Sequence, residues 1–107
     1  MSHQGKLRAA ISGGEIAPLE LYDASGRESR VELRVGKENN PVLLMLDPSN
    51  VIRVQLAVGK DGKPNMKLFD ERKRPRAICG MNDEGDAALA LYDRGGNPVG
   101  GVVPRQR

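Results

Sequence analysis

The chain has 107 residues, enough for one domain that buries about two-thirds of the surface its unfolded form exposes. A formal net charge of +3 falls short of a dedicated nucleic-acid binder, and a single cysteine excludes an intrachain disulfide. Only three aromatic side chains, Tyr22, Phe69 and Tyr92, are present, so any core must be built from Leu, Val, Ile, Ala and Met.

The opening residues lack the apolar stretch of a secretory signal, and no window reaches the length of a membrane span, so a cytoplasmic protein is expected. Gly5-Lys6-Leu7-Arg8-Ala9-Ala10-Ile11 reads as a turn followed by one strand. A fuller pattern then begins. Leu19-Glu20-Leu21-Tyr22-Asp23 alternates and closes on Asp, Asp23-Ala24-Ser25-Gly26 makes a turn, and Arg30 opens Val31-x-Leu33-x-Val35. The same order returns in Leu43-Leu44-Met45-Leu46-Asp47, the turn Asp47-Pro48-Ser49-Asn50, then Arg53 and Val54-x-Leu56-x-Val58. It returns in Met66-Lys67-Leu68-Phe69-Asp70 with Arg76 before Ala77-x-Cys79-x-Met81, and in Leu89-Ala90-Leu91-Tyr92-Asp93 with Val99 before Gly100-x-Val102.

The Asp spacings are 24, 23 and 23, which divides one domain into units over residues 5–16, 17–40, 41–63, 64–86 and 87–104. Alternation over five or six residues marks half-buried strands, because successive side chains point to opposite faces. The clusters between them are turns: Asp and Asn bond amides two residues on, and Gly supplies positive φ. Short loops force sequential antiparallel pairing, so the expected fold is all-β, an antiparallel meander of about nine strands in a barrel-like, prism-like or sandwich arrangement.

Leu19 and Leu21, Leu43 and Met45, Met66 and Leu68, Leu89 and Leu91 are expected to face inward. The residue before each Asp, namely Tyr22, Leu46, Phe69 and Tyr92, forms a second apolar stripe. Either it points to the other face, as a candidate interface with another sheet or chain, or a bulge near the turn returns it to the same core. The repeated Leu-x-Leu-Tyr/Phe-Asp-x-x-Gly followed by Arg-Val-x-Leu-x-Val resembles tandem β-hairpin repeat proteins of bacteria that have no assigned function. That resemblance spans Gly5 to Val103 and brings no catalytic residue with it.

No catalytic constellation is visible, because no nucleophile, base and orienting group recur at usable spacing. His3 precedes the first predicted strand, in a stretch expected to fray, and Cys79 stands where Leu33 and Leu56 stand in sister units, as a small core side chain. One His and one Cys cannot assemble a zinc site, and Asn82-Asp83-Glu84-Gly85-Asp86 lacks the donor spacing of a calcium loop. No metal or cofactor is expected. The glycine pairs Gly13-Gly14, Gly95-Gly96 and Gly100-Gly101 read as turns or close backbone approach rather than phosphate cradles.

Arg72, Lys73, Arg74 and Arg76 form the densest basic run and are the candidate contacts for an anion or nucleic-acid backbone, with Arg105 and Arg107 adding charge. A solvated turn is the favoured reading of that run, since stacking platforms for bases are missing around it. The expected role is a non-enzymatic structural or self-assembling module, a homo-oligomer of two or three chains. The alternative is a module binding carbohydrate or nucleic-acid backbone through its turns. Another protein partner fits too, and a membrane does not.

Overall fold

The computed structural model describes residues 2–3, 5–11, 19–36 and 38–102. Its eleven strands are β1 (Ser2–His3), β2 (Lys6–Leu7), β3 (Ala9–Ile11), β4 (Leu19–Tyr22), β5 (Ser29–Val35), β6 (Pro41–Leu46), β7 (Ile52–Val58), β8 (Pro64–Phe69), β9 (Pro75–Met81), β10 (Ala87–Tyr92) and β11 (Pro98–Val102). Helix is absent from the described residues. The glycine pair Gly13-Gly14 and the terminal Arg105 and Arg107 lie outside them.

Strands β3 to β11 form one nine-stranded antiparallel sheet in strict chain order, the meander expected from the short turns. β1 and β2 make a separate small hairpin around Gly5. His3 thus pairs with Lys6 in a strand, which corrects the expectation that this stretch precedes all regular structure. The main sheet is open: β3 and β11 are its edges, and no second layer forms among the described residues. The barrel, prism or sandwich expected of a single chain is therefore replaced by a single layer. Short turns fix only the order of neighbours; in a meander of nine strands β3 and β11 run the same way, so closing the sheet would need one parallel pair, and the two strands stay apart as edges.

Both ends of the sheet use one turn design. The residue opening each turn accepts, through its carbonyl, the amide three residues on, and that third residue takes positive φ. At one end these residues are Gly26, Asn50, Lys73 and Gly96, and at the other Asn39, Gly62 and Gly85. The four repeat Asp residues reinforce the turn with Oδ1. Asp47 accepts the Ser49 and Val51 amides at 2.9 and 3.1 Å, and Asp70 those of Arg72 and Arg74 at 2.9 and 3.0 Å. Asp93 accepts the Gly95 and Asn97 amides, each at 2.9 Å, and Asp23 the Ser25 amide at 3.0 Å.

Each within-unit hairpin carries a register shift next to its turn. Leu21 pairs with Val31 but Tyr22 with Ser29, Met45 with Val54 but Leu46 with Ile52, and Leu68 with Ala77 but Phe69 with Pro75. Leu91 pairs with Gly100 but Tyr92 with Pro98. The extra residue is Arg30, Arg53, Arg76 or Val99, so the recurrent Arg is the bulged residue of its strand.

Candidate functional site

Residues directly opposite in antiparallel strands share a face, so the register assigns a face to every paired residue. One row runs Ala9, Leu21, Val31, Met45, Val54, Leu68, Ala77, Leu91, Gly100. The adjacent row runs Ile11, Leu19, Leu33, Leu43, Leu56, Met66, Cys79, Leu89, Val102. Neither contains a charged residue. The row behind, on the opposite face, is Ala10, Glu20, Glu32, Leu44, Gln55, Lys67, Ile78, Ala90, Gly101.

The residues expected to face inward thus share a face, as alternation requires, but that face has no cover among the described residues. Leu21, Met45, Leu56, Met66 and Leu68 keep 42 to 48% of their surface exposed. Leu44 and Ala57, the buried hydrophobic residues of the described chain, lie on the opposite, mixed face. Beside the middle of the second apolar row a depression of about 390 Å³ is lined by Leu33, Pro41, Leu43, Leu56, Val58 and Pro64, among others.

The second stripe goes to the mixed face. Tyr22 donates its hydroxyl hydrogen to Glu20 at 3.3 Å, two residues back on the same face, and Tyr22, Leu46, Phe69 and Tyr92 are all half-buried. Both sequence alternatives contain part of this: a bulge is present beside each turn, yet it lies in the partner strand and leaves the stripe on the far side. Desolvation, with the negative charge of Glu20 next, raises the Tyr22 phenol above its usual range. Beside Phe69 a groove of about 230 Å³ is lined by Asn50, Ile52, Gln55 and Lys73.

The basic run divides. Arg74 Nε lies 3.2 Å from Asp70, and Arg76 Nη1 lies 3.8 Å from the same carboxylate, so Asp70 draws both inward. Arg72 and Lys73 are exposed. The carboxyl of Asp70 is held below its ordinary range first by the Arg74 amide, and further by the Arg72 amide and the Arg74 guanidinium.

Each repeat Arg pairs with its own Asp: Arg30 with Asp23 at 3.3 Å, Arg53 with Asp47 at 3.2 Å, Arg76 with Asp70 at 3.8 Å. The sequence did not disclose the second contact, in which the Arg reaches the next unit. Arg53 Nε donates to the Phe69 carbonyl and Arg76 Nε to the Tyr92 carbonyl, each at 2.8 Å, while Arg8 reaches the Tyr22 carbonyl at 3.3 Å. Arg30 instead donates to Asn50 Oδ1 at 3.1 Å, in the next turn. No signal marked it, since Ile52 and Val54 flank Arg53 at a spacing that plain alternation puts on one face, whereas the bulge sends them to opposite faces.

Among the described residues no three His, Cys, Asp or Glu side chains gather as a metal site. Asn82 spends its Oδ1 on the amides of Glu84 and Asp86, both at 3.0 Å, as the Asp residues do at the other end. No helix among the described residues is long and apolar enough to cross a membrane. A scan against protein-family models matches no family, and a search of curated proteins returns no match.

Proposed function

We propose that this protein is a non-enzymatic structural module that assembles with copies of itself, two or three to a particle, in the cytoplasm. The observation that carries the reading is surface. The chain exposes 7753 Å², against roughly 5,800 Å² for a compact monomer of its 11.6 kDa mass. Its radius of gyration is 16.5 Å, where a globular chain of this length has about 13 Å. A single layer of Leu, Val and Met gains little from folding until something covers it, and repeats that present one surface many times are suited to binding their own kind. Gel filtration with light scattering tests this: the mass expected is that of two or three chains across the micromolar range, and the mass of one chain contradicts it.

A second reading rests on the groove beside Phe69. One aromatic ring, two amide side chains and the exposed Lys73 amine, with Arg72 nearby, form a surface for a sugar or phosphate group. Titration with mixed single-stranded oligonucleotides at physiological salt tests it. Micromolar affinity that is lost when Arg72 and Lys73 become Ser would move binding ahead of assembly.

A further inference from the structure

We propose that copies of this chain meet through the face of the nine-stranded sheet that carries the two apolar rows, so that the same face of another copy covers them, Leu56 and Cys79 included. This rests on the self-assembly reading and names its surface. Assembly has three routes open to it: the apolar face, the mixed face, or the edge strands β3 and β11. On the mixed face, Glu20 and Glu32 are paired neighbours, and Lys67 stands opposite Gln55 in the same row. Pressing that face against its own copy would strip the water from these charges and bring like charges together. The apolar face carries no such penalty over its two central rows.

Area points the same way. The difference between 7753 Å² and a compact chain of this mass is roughly 1,900 Å² per chain, which falls in the range of obligate homo-oligomer interfaces. An edge contact between short strands such as β11, of five residues, cannot bury that much. The sheet face can, because the molecule extends 58 × 31 Å along its two longer axes and is only 17 Å thick. The occupant must be as long as the sheet and apolar at every strand spacing, and a second copy of this chain meets both demands by its own repeat. The depression at Pro41 and Pro64 gives the surface relief through which two such faces interlock.

Cys79 reports on the contact because it lies within the second apolar row, between Met66 and Leu89. The experiment compares the rate at which a water-soluble aromatic disulfide labels Cys79 in the native and in the urea-unfolded protein, alongside the mass in solution. An oligomer whose Cys79 reacts about tenfold or more slowly than in the unfolded chain is expected, since labelling then requires opening of the contact. Leu56→Lys puts a charge in the centre of the face and is expected to lower the mass to that of one chain and to release the thiol. Lys67→Glu, on the other face, is expected to change neither. Because Leu56→Lys also weakens the fold, dilution of the unaltered protein supplies a second measure: the labelling rate should rise as the oligomer dissociates. An oligomer with Cys79 as reactive as in urea overturns the face and leaves self-assembly standing, through an edge. A single chain at all concentrations overturns both, and a single chain that binds neutral lipid vesicles through this face overturns the choice of occupant.

Discussion

Arg76 donates its Nε hydrogen to the main-chain carbonyl of Tyr92 at 2.8 Å, in the next repeat, while its Nη1 approaches Asp70 of its own repeat at 3.8 Å. Arg53 makes the same two contacts with Phe69 and Asp47, at 2.8 and 3.2 Å. One side chain therefore ties a turn to the strand that follows it across the sheet. The bulge matters here because it supplies the extra residue from which the guanidinium reaches both ways.

Only a fork of several fixed donors can serve both partners, so lysine is a poor replacement. Arg53→Lys is expected to lower stability by about 1 kcal/mol in denaturant unfolding, the worth of one lost hydrogen bond to a carbonyl. Arg72→Lys, on the exposed turn, is expected to change it by less than about 0.5 kcal/mol. Equal effects from the two substitutions would remove the bridging role.

Lys73 has a φ of 67°, where three sister turns place Gly26, Asn50 and Gly96. A side chain in this left-handed region costs about 1 kcal/mol that glycine avoids, partly offset by the freedom glycine adds to the unfolded chain. Lys73→Gly is expected to raise stability by about 0.5 kcal/mol, and Arg72→Gly, one residue earlier in the same turn, to lower it. Thermal unfolding of the two variants checks the contrast.

Acid should loosen the turns. Asp93 is held below the ordinary carboxylate range first by the Asn97 amide, then by the Asn97 side chain and the Gly95 amide. Asp47 is held down by the Val51 amide foremost and Asp70 by the Arg74 amide, while in Asp23 the Ser25 hydroxyl contributes most. A folded-state pKa below the unfolded value of about 3.9 gives stability that is complete above that pH and is lost as pH falls through the folded value. Unfolding midpoints are therefore expected to be flat from about pH 7 to about pH 5 and to fall below about pH 4. Asp93→Asn should keep the turn, as Asn82 does in its own, and make that fall shallower.

Gly101 approaches its neighbour too closely for any side chain. A Cβ there would lie 2.3 Å from the Leu89 carbonyl oxygen, and its φ of 152° is strained for other residues. Gly101→Ala is expected to peel β11 from β10 while leaving β5 to β9 intact. Amide exchange read residue by residue should show lost protection confined to β10 and β11; uniform loss across the sheet would contradict this.

From β4 onward, strands, pairing order and most faces were legible in the sequence because each is a local matter, whereas the stretch read as a turn and one strand from Gly5 to Ile11 is divided between β2 and β3. The alternation Met66-Lys67-Leu68 alone separates Lys67 from its two apolar neighbours, and the register agrees. The Asp turns were legible for the same reason. What covers a face is not local: Leu21 or Leu56 reads the same whether a second layer comes from this chain or from elsewhere. The place of each bulge escaped because one inserted residue, Arg53, leaves composition untouched and changes only the face to which Ile52 belongs.

If one layer of this sheet becomes stable only by joining another copy, folding and association are a single event. Thermal unfolding over a hundredfold range of protein concentration tests this most directly, since association coupled to folding makes the midpoint depend on concentration. For a particle of two or three chains of this length the midpoint should rise by about 3–5 °C for each tenfold increase. A sharp, reversible transition whose midpoint stays fixed over the whole range would show that the single sheet is stable alone, and would contradict the account.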